Sequence, residues 1–171
     1  MNPALTVSSS PHIHGQEATR SLMRDVLIAL APALAAAIVL FGWRSALLTA
    51  VCAVSCVVWE YLFRRLLKRS KTIGDLSAVV TGVLLAFNLP VTMPLYMGVI
   101  GSAVAIVVVK EFFGGLGKNI ANPALVGRIV LLVSFPMHMT NFTAPLVTGP
   151  EFVTTATPAH ALDFVATATP L

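Results

Sequence analysis

Apolar residues fill this chain in five blocks, at about 25–43, 45–63, 73–90, 94–113 and 120–137, parted by short polar breaks. Each block is close to the ~20 residues that an α-helix needs to cross a bilayer. Only Trp43-Arg44 parts the first two blocks, which predicts a tight helical hairpin. The third block is short and closes on Asn88-Leu89-Pro90, so its helix stops or breaks inside the membrane region. Breaks of that kind are tolerated where they line a cavity or are buried in protein. Residues 1–24 are polar, and everything beyond 137 is a Thr-, Ala- and Pro-rich loop without Lys or Arg. The pattern predicts an all-α, polytopic membrane helical bundle with about five transmembrane helices. It divides into an N-terminal arm (1–24), a transmembrane domain (25–137) and a loop (138–171).

Composition strengthens the membrane reading. The chain is 57% hydrophobic and 11% charged, with mean hydropathy +0.87. A soluble domain carries about 25% charged residues. The first twenty residues lack an apolar run before a cleavage site, so the expectation is that no secretory signal is removed. The net charge of +4 is not a nucleic-acid footprint, because the cations cluster where membrane loops fall.

Their distribution sets an orientation. With the N-terminus in the cytoplasm, Arg20, Arg24, Arg64, Arg65, Lys68, Arg69, Lys71 and Lys118 all fall on the cytoplasmic side, and Arg44 falls outside. Lys110 and Arg128 lie within blocks. That bias follows the positive-inside rule, and five crossings place the 138–171 loop on the outer face.

Charges inside apolar blocks are costly, and each is a candidate functional residue that needs a partner. Asp75, Glu60, Lys110, Glu111 and Arg128 qualify. Glu60, Lys110 and Glu111 lie near block ends, where a long side chain can snorkel to water. Asp75 favours a helix N-terminus. Arg128 is the deepest, and is expected to face protein or a cofactor rather than lipid.

Three glycines in Lys110-Glu111-Phe112-Phe113-Gly114-Gly115-Leu116-Gly117-Lys118-Asn119 allow a tight turn. A phosphate-binding loop is excluded, because Asn119 stands where Ser or Thr is needed and a strand does not precede it. Asn122-Pro123-Ala124 predicts a helix start, with Asn as N-cap and Pro at the first helical position. A water-channel reading would need a second copy of that triplet. Cys52 and Cys56, four apart, read as small residues at a helix contact, as do Gly98, Gly101, Ser102 and Ala105. His12, His14, His138 and His160 are too scattered to form a ligand set.

The chain closes on Asp163-Phe164-Val165-Ala166-Thr167-Ala168-Thr169-Pro170-Leu171. Pro170 holds Thr169 in an extended, accessible turn. No His or Lys stands nearby to activate its hydroxyl, so Thr169 reads as a place of attachment rather than a nucleophile. Phe152-Val153-Thr154-Thr155-Ala156-Thr157-Pro158 nearly repeats this run, with Glu151 in the place of Asp163.

Several of these residues together carry a resemblance. Ser77-Ala78-Val79-Val80-Thr81-Gly82-Val83-Leu84-Leu85-Ala86, then Lys110 to Asn119, Asn122-Pro123-Ala124, Ser134-Phe135-Pro136 and the Ala-Thr-Pro-Leu ending resemble the D subunit of Rnf electron-transport complexes in order and spacing. Ser10-Pro11-His12 also looks like that family's start. The B subunit of the sodium-pumping NADH:quinone reductase is a more distant relative. The resemblance implies an FMN joined through its phosphate to a threonine in an Asp-x-x-(Ser/Thr)-x-Ala-Thr motif, by a separate flavin transferase. Carried over, the acceptor is Thr169, with Asp163 as the motif acid and Thr157 as the alternative. Ala166 departs from the motif's Ser or Thr.

The resemblance further implies electron relay between ferredoxin and NAD, coupled to Na+ or H+ translocation, by a subunit that is not catalytic alone. It implies other Rnf subunits as partners, a bacterial inner-membrane location and, as an open expectation, a second non-covalent flavin. Members of the family are roughly twice this long, so the fold expected here is half of a pseudo-symmetric repeat. Two rival readings stand beside it: a cofactor-free channel or transporter half, and an inactive truncated fragment.

Overall fold

A computed structural model describes residues 16–68, 73–113, 119 and 121–142. The described residues are helical, without strands. Helix α1 spans Gln16–Phe41, α2 Trp43–Leu66, α3 Ser77–Phe87, α4 Leu95–Ala103, α5 Pro123–Ser134 and α6 Pro136–Met139. A 3₁₀ turn, Ile73–Asp75, leads into α3, and a π-helix, Val104–Glu111, continues α4.

The predicted blocks are all present, but their helices differ in length. Two are long and apolar enough to cross a membrane, at Thr19–Phe41 and Trp43–Leu66. With 26 residues, α1 is about 39 Å long and begins well before residue 25. The 11 residues of α3 and the 12 of α5 reach only about half as far. The Asn88-Leu89-Pro90 break explains the first of these. There Asn88 Nδ2 donates to the Leu84 carbonyl at 2.8 Å, satisfying a helix-end oxygen that apolar surroundings would leave unpaired.

The α1–α2 hairpin turns at Gly42, whose φ of +78° favours glycine. Ser45 Oγ locks the turn by donating to the Gly42 carbonyl at 2.8 Å. From there α2 forms the spine of the molecule, with α3 and α4 packed along it. The α2–α3 contact is close. A Cβ at Gly82 would lie 2.5 Å from Ala53 Cα, so only glycine fits there. Leu48, Cys52, Leu85, Met93, Met97 and Leu131 join α2, α3, α4 and α5 in one core. Cys56 packs with Ala78 and Ile106 in a second cluster. Both cysteines are therefore packing residues at helix contacts, as their spacing suggested.

The outer faces are apolar too. Ile28 and Val39 of α1, Val54 and Val58 of α2, and Ile129 and Val133 of α5 are all exposed. Such faces suit a lipid or protein surround rather than water. At one end of the bundle, Arg44 donates to the Thr92 carbonyl at 3.4 Å, and Thr92 Oγ1 to the Asn141 carbonyl at 3.0 Å. Those bonds tie the hairpin turn, the α3–α4 connection and the end of the described residues together. The far ends of α2 and of the π-helix meet the start of α3 at the opposite end.

Candidate functional site

The opposite end holds a buried ionic network. Glu60 and Arg64 sit one turn apart on α2, and Lys110 and Glu111 are consecutive on the π-helix. Lys110 Nζ donates to Glu60 Oε2 at 3.0 Å and to Ser77 Oγ at 2.7 Å, at the first residue of α3. Arg64 holds Glu111 Oε1 through Nε at 2.9 Å and a terminal nitrogen at 2.8 Å. It also lies 3.4 Å from Glu60 Oε1. Glu60, Lys110 and Glu111 are each no more than 2% exposed, and Arg64 is 9% exposed. Two acids balance two bases, so the burial is electrostatically closed.

This arrangement corrects the snorkelling expectation for Glu60, Lys110 and Glu111. They point inward to one another rather than out to water. The π-helix explains how neighbours in sequence do so together. Phe112 N–H bonds the Val107 carbonyl, five residues back, at 3.1 Å. The wider turn lets Lys110 and Glu111 both reach α2, and π-turns of this kind concentrate at functional sites. Sequence reasoning treated Arg64 only as a loop cation and did not single out Ser77. The Glu60/Arg64 spacing, acid then base four residues on, was the available signal.

Beside the network lies a cavity of ≈ 440 Å³, lined by Lys110, Ser77, Thr81, Asn119, Asn122 and Met23 among others. The first turns of α3 and α5 border it. Asn122 caps α5 as expected, its side chain accepting from Ala124 N–H at 3.0 Å with Pro123 at the first helical position. The side-chain oxygen of Asn119 is buried and has no hydrogen-bond partner among the described residues. Asp75 lies in the 3₁₀ turn just before α3, on the side that favours an acid.

A second cavity, of ≈ 330 Å³, opens at the Arg44 end between α1, α2, α3 and α5. Phe41, Phe87 and Phe142 give it aromatic walls, and Ser45, Asn88 and Arg128 give it polar groups. Arg128 donates to Asn88 Oδ1 at 3.3 Å and so faces protein, as its depth in the fifth block predicted. Thr169, Asp163, Thr157 and the glycines at 114, 115 and 117 lie outside the described residues.

Comparison with known proteins gives a consistent answer. The model of the NQR2, RnfD, RnfE family matches residues 6–171. The chain is 53% identical over 154 residues to the D subunit of the Na(+)-translocating ferredoxin:NAD(+) oxidoreductase complex of Acetobacterium woodii, covering 90% of this chain and 48% of that protein. It is 40% identical over 141 residues to the D subunit of an ion-translocating oxidoreductase complex of Escherichia coli, covering 81% of this chain and 40% of the relative. The chain thus spans less than half the length of these relatives.

Proposed function

The chain belongs to the NQR2, RnfD, RnfE family, and from that premise we propose that it is part of a membrane flavoprotein subunit of an Rnf-type complex. The subunit relays electrons between ferredoxin and NAD, and the complex couples that flow to Na+ or H+ translocation. The observation that carries this reading is the 53% identity to a relative named for ferredoxin:NAD chemistry. The other Rnf subunits are its partners, and the bacterial inner membrane is its place.

In this reading FMN is attached through its phosphate to Thr169, with Asp163 in the acceptor motif and Thr157 as the competing acceptor. A flavin transferase makes the bond. The family match supports the assignment by extending over that motif to residue 171. The distribution of basic residues supports a cytoplasmic Glu60 end and an outer-face Arg44 end, with the 138–171 segment on the outer face. A bound flavin supplies the redox chemistry; the protein supplies its position and electrostatic surroundings. The cavity beside Lys110 is of a size to admit a second, non-covalent flavin.

In-gel fluorescence of denatured protein, made in a host with a flavin transferase, tests the reading. A fluorescent band that Thr169→Ala abolishes is expected, together with co-purification of Rnf partner subunits. A dark wild-type band favours the cofactor-free channel half. Failure to co-purify favours an inert fragment.

A further inference from the structure

Neighbouring arginines at the end of α2 have different fates. Arg64 turns inward to Glu60 and Glu111. Arg65, about 100° further round the helix, is exposed, and so is Lys68 just past the helix end. Among the described residues, neither Arg65 nor Lys68 has a side-chain hydrogen bond or ion pair. No acid of α2 answers them, because its sole carboxylate, Glu60, is buried in the ionic network.

These bases stand at the foot of an apolar face. Val54, Val58, Tyr61 and Leu62 precede Arg65 at steps of three or four residues, the spacing of one helix face, and all four are exposed. Cys52 and Cys56, two residues before Val54 and Val58, lie on the opposite side and are buried in the two cores.

The dimensions of this face match one leaflet of a bilayer. Val54 sits at the midpoint of the 24-residue helix. From there to Arg65 the helix rises about 16 Å, and half of a ~30 Å hydrocarbon core is about 15 Å. An acyl chain lying along Val54, Val58 and Leu62 therefore brings its head group level with Arg65 and Lys68. Tyr61 lies one turn deeper, where an amphipathic ring bridges chains and head groups. In the other direction the same face ends on exposed Trp43, which carries no charge, and Arg44 is engaged with the Thr92 carbonyl. Charge thus marks one leaflet only. Arg24 of α1, a further exposed base, has Asp25 beside it at 3.9 Å.

We propose that this face of α2 binds an anionic phospholipid from the leaflet at the Glu60 end. Its phosphate rests on Arg65 and Lys68, and one acyl chain lies along Val54, Val58 and Leu62. Two cations without partners favour a head group of net negative charge over a zwitterionic one.

Native mass spectrometry of the full chain, released from detergent micelles, tests this. Phosphatidylglycerol and phosphatidylcholine with the same acyl chains are added in turn. Wild type should retain phosphatidylglycerol in preference to phosphatidylcholine, and equal retention overturns the proposal whether or not any variant folds. Arg65→Gln and Lys68→Gln should each weaken phosphatidylglycerol retention roughly fivefold, and Arg24→Gln should leave it unchanged. Wild-type retention in the double variant Arg65→Gln/Lys68→Gln overturns the site. An equal loss in Arg24→Gln does so too, because it would reveal a general attraction to basic protein. Glycerophosphoglycerol, the head group without chains, should not be retained. Retention of it equal to that of the lipid would leave the apolar face without a role and overturn the lipid as occupant.

Discussion

Lys110 carries the most consequential single contact of the described structure. Its ammonium closes a circuit with Glu60 and Ser77, while Arg64 closes another with Glu111. Removing one member of such a set leaves an uncompensated charge away from water, which costs about 3–5 kcal/mol. Lys110→Met should therefore lower thermal stability in detergent strongly. The double variant Lys110→Met/Glu60→Gln should recover part of that loss, because it removes the orphaned acid as well. A cycle over the two sites should give a coupling of about 0.5–3 kcal/mol. Additive losses would mean that the two side chains do not depend on each other. The sequence marked Glu60, Lys110 and Glu111 as costly charges, but not their mutual pairing. Pairing depends on which faces of α2 and the π-helix meet, and the wider turn that aligns Lys110 with Glu111 has no compositional mark.

The helices owe their spacing to a few small residues. Gly82 lets α3 lie against the backbone of α2 at Ala53 and Cys52. A branched side chain at this point must push the two helices apart. Gly82→Val should destabilise the bundle by about 1–3 kcal/mol, the usual range for overpacking, and thermal denaturation in detergent reads the loss. A stability equal to wild type would contradict the close approach. Here the sequence was informative in places. Asn122-Pro123 marked the start of α5, and Asn88-Leu89-Pro90 marked the end of α3, because caps and prolines act locally. Helix lengths were less legible, since an apolar block reports hydrophobic surroundings rather than unbroken helix. Thus Val104–Glu111 reads as an ordinary continuation of α4 but winds as a π-helix.

At the scale of the molecule, the two ends differ in chemistry. One holds the ionic network and the cavity beside Lys110; the other holds Arg128, aromatic walls and Phe142, the last described residue. If the basic residues orient the bundle as proposed, Thr140→Cys should react with a membrane-impermeant maleimide from outside intact cells, and Leu66→Cys only after lysis. Both positions are exposed, while native Cys52 and Cys56 are buried. The reverse pattern would invert the topology. The all-helical class and the family were legible because they rest on blocks and motifs spread along the chain. The acceptor motif at Asp163–Thr169 is read from the sequence alone and lies outside the described residues.

The proposed redox role turns on that threonine. Intact mass spectrometry of the chain co-produced with a flavin transferase tests it most directly. The expected result is one added FMN, less water, on wild type and on Thr157→Ala, and none on Thr169→Ala. An unmodified wild-type chain, or a modification that survives Thr169→Ala and is lost in Thr157→Ala, would contradict it.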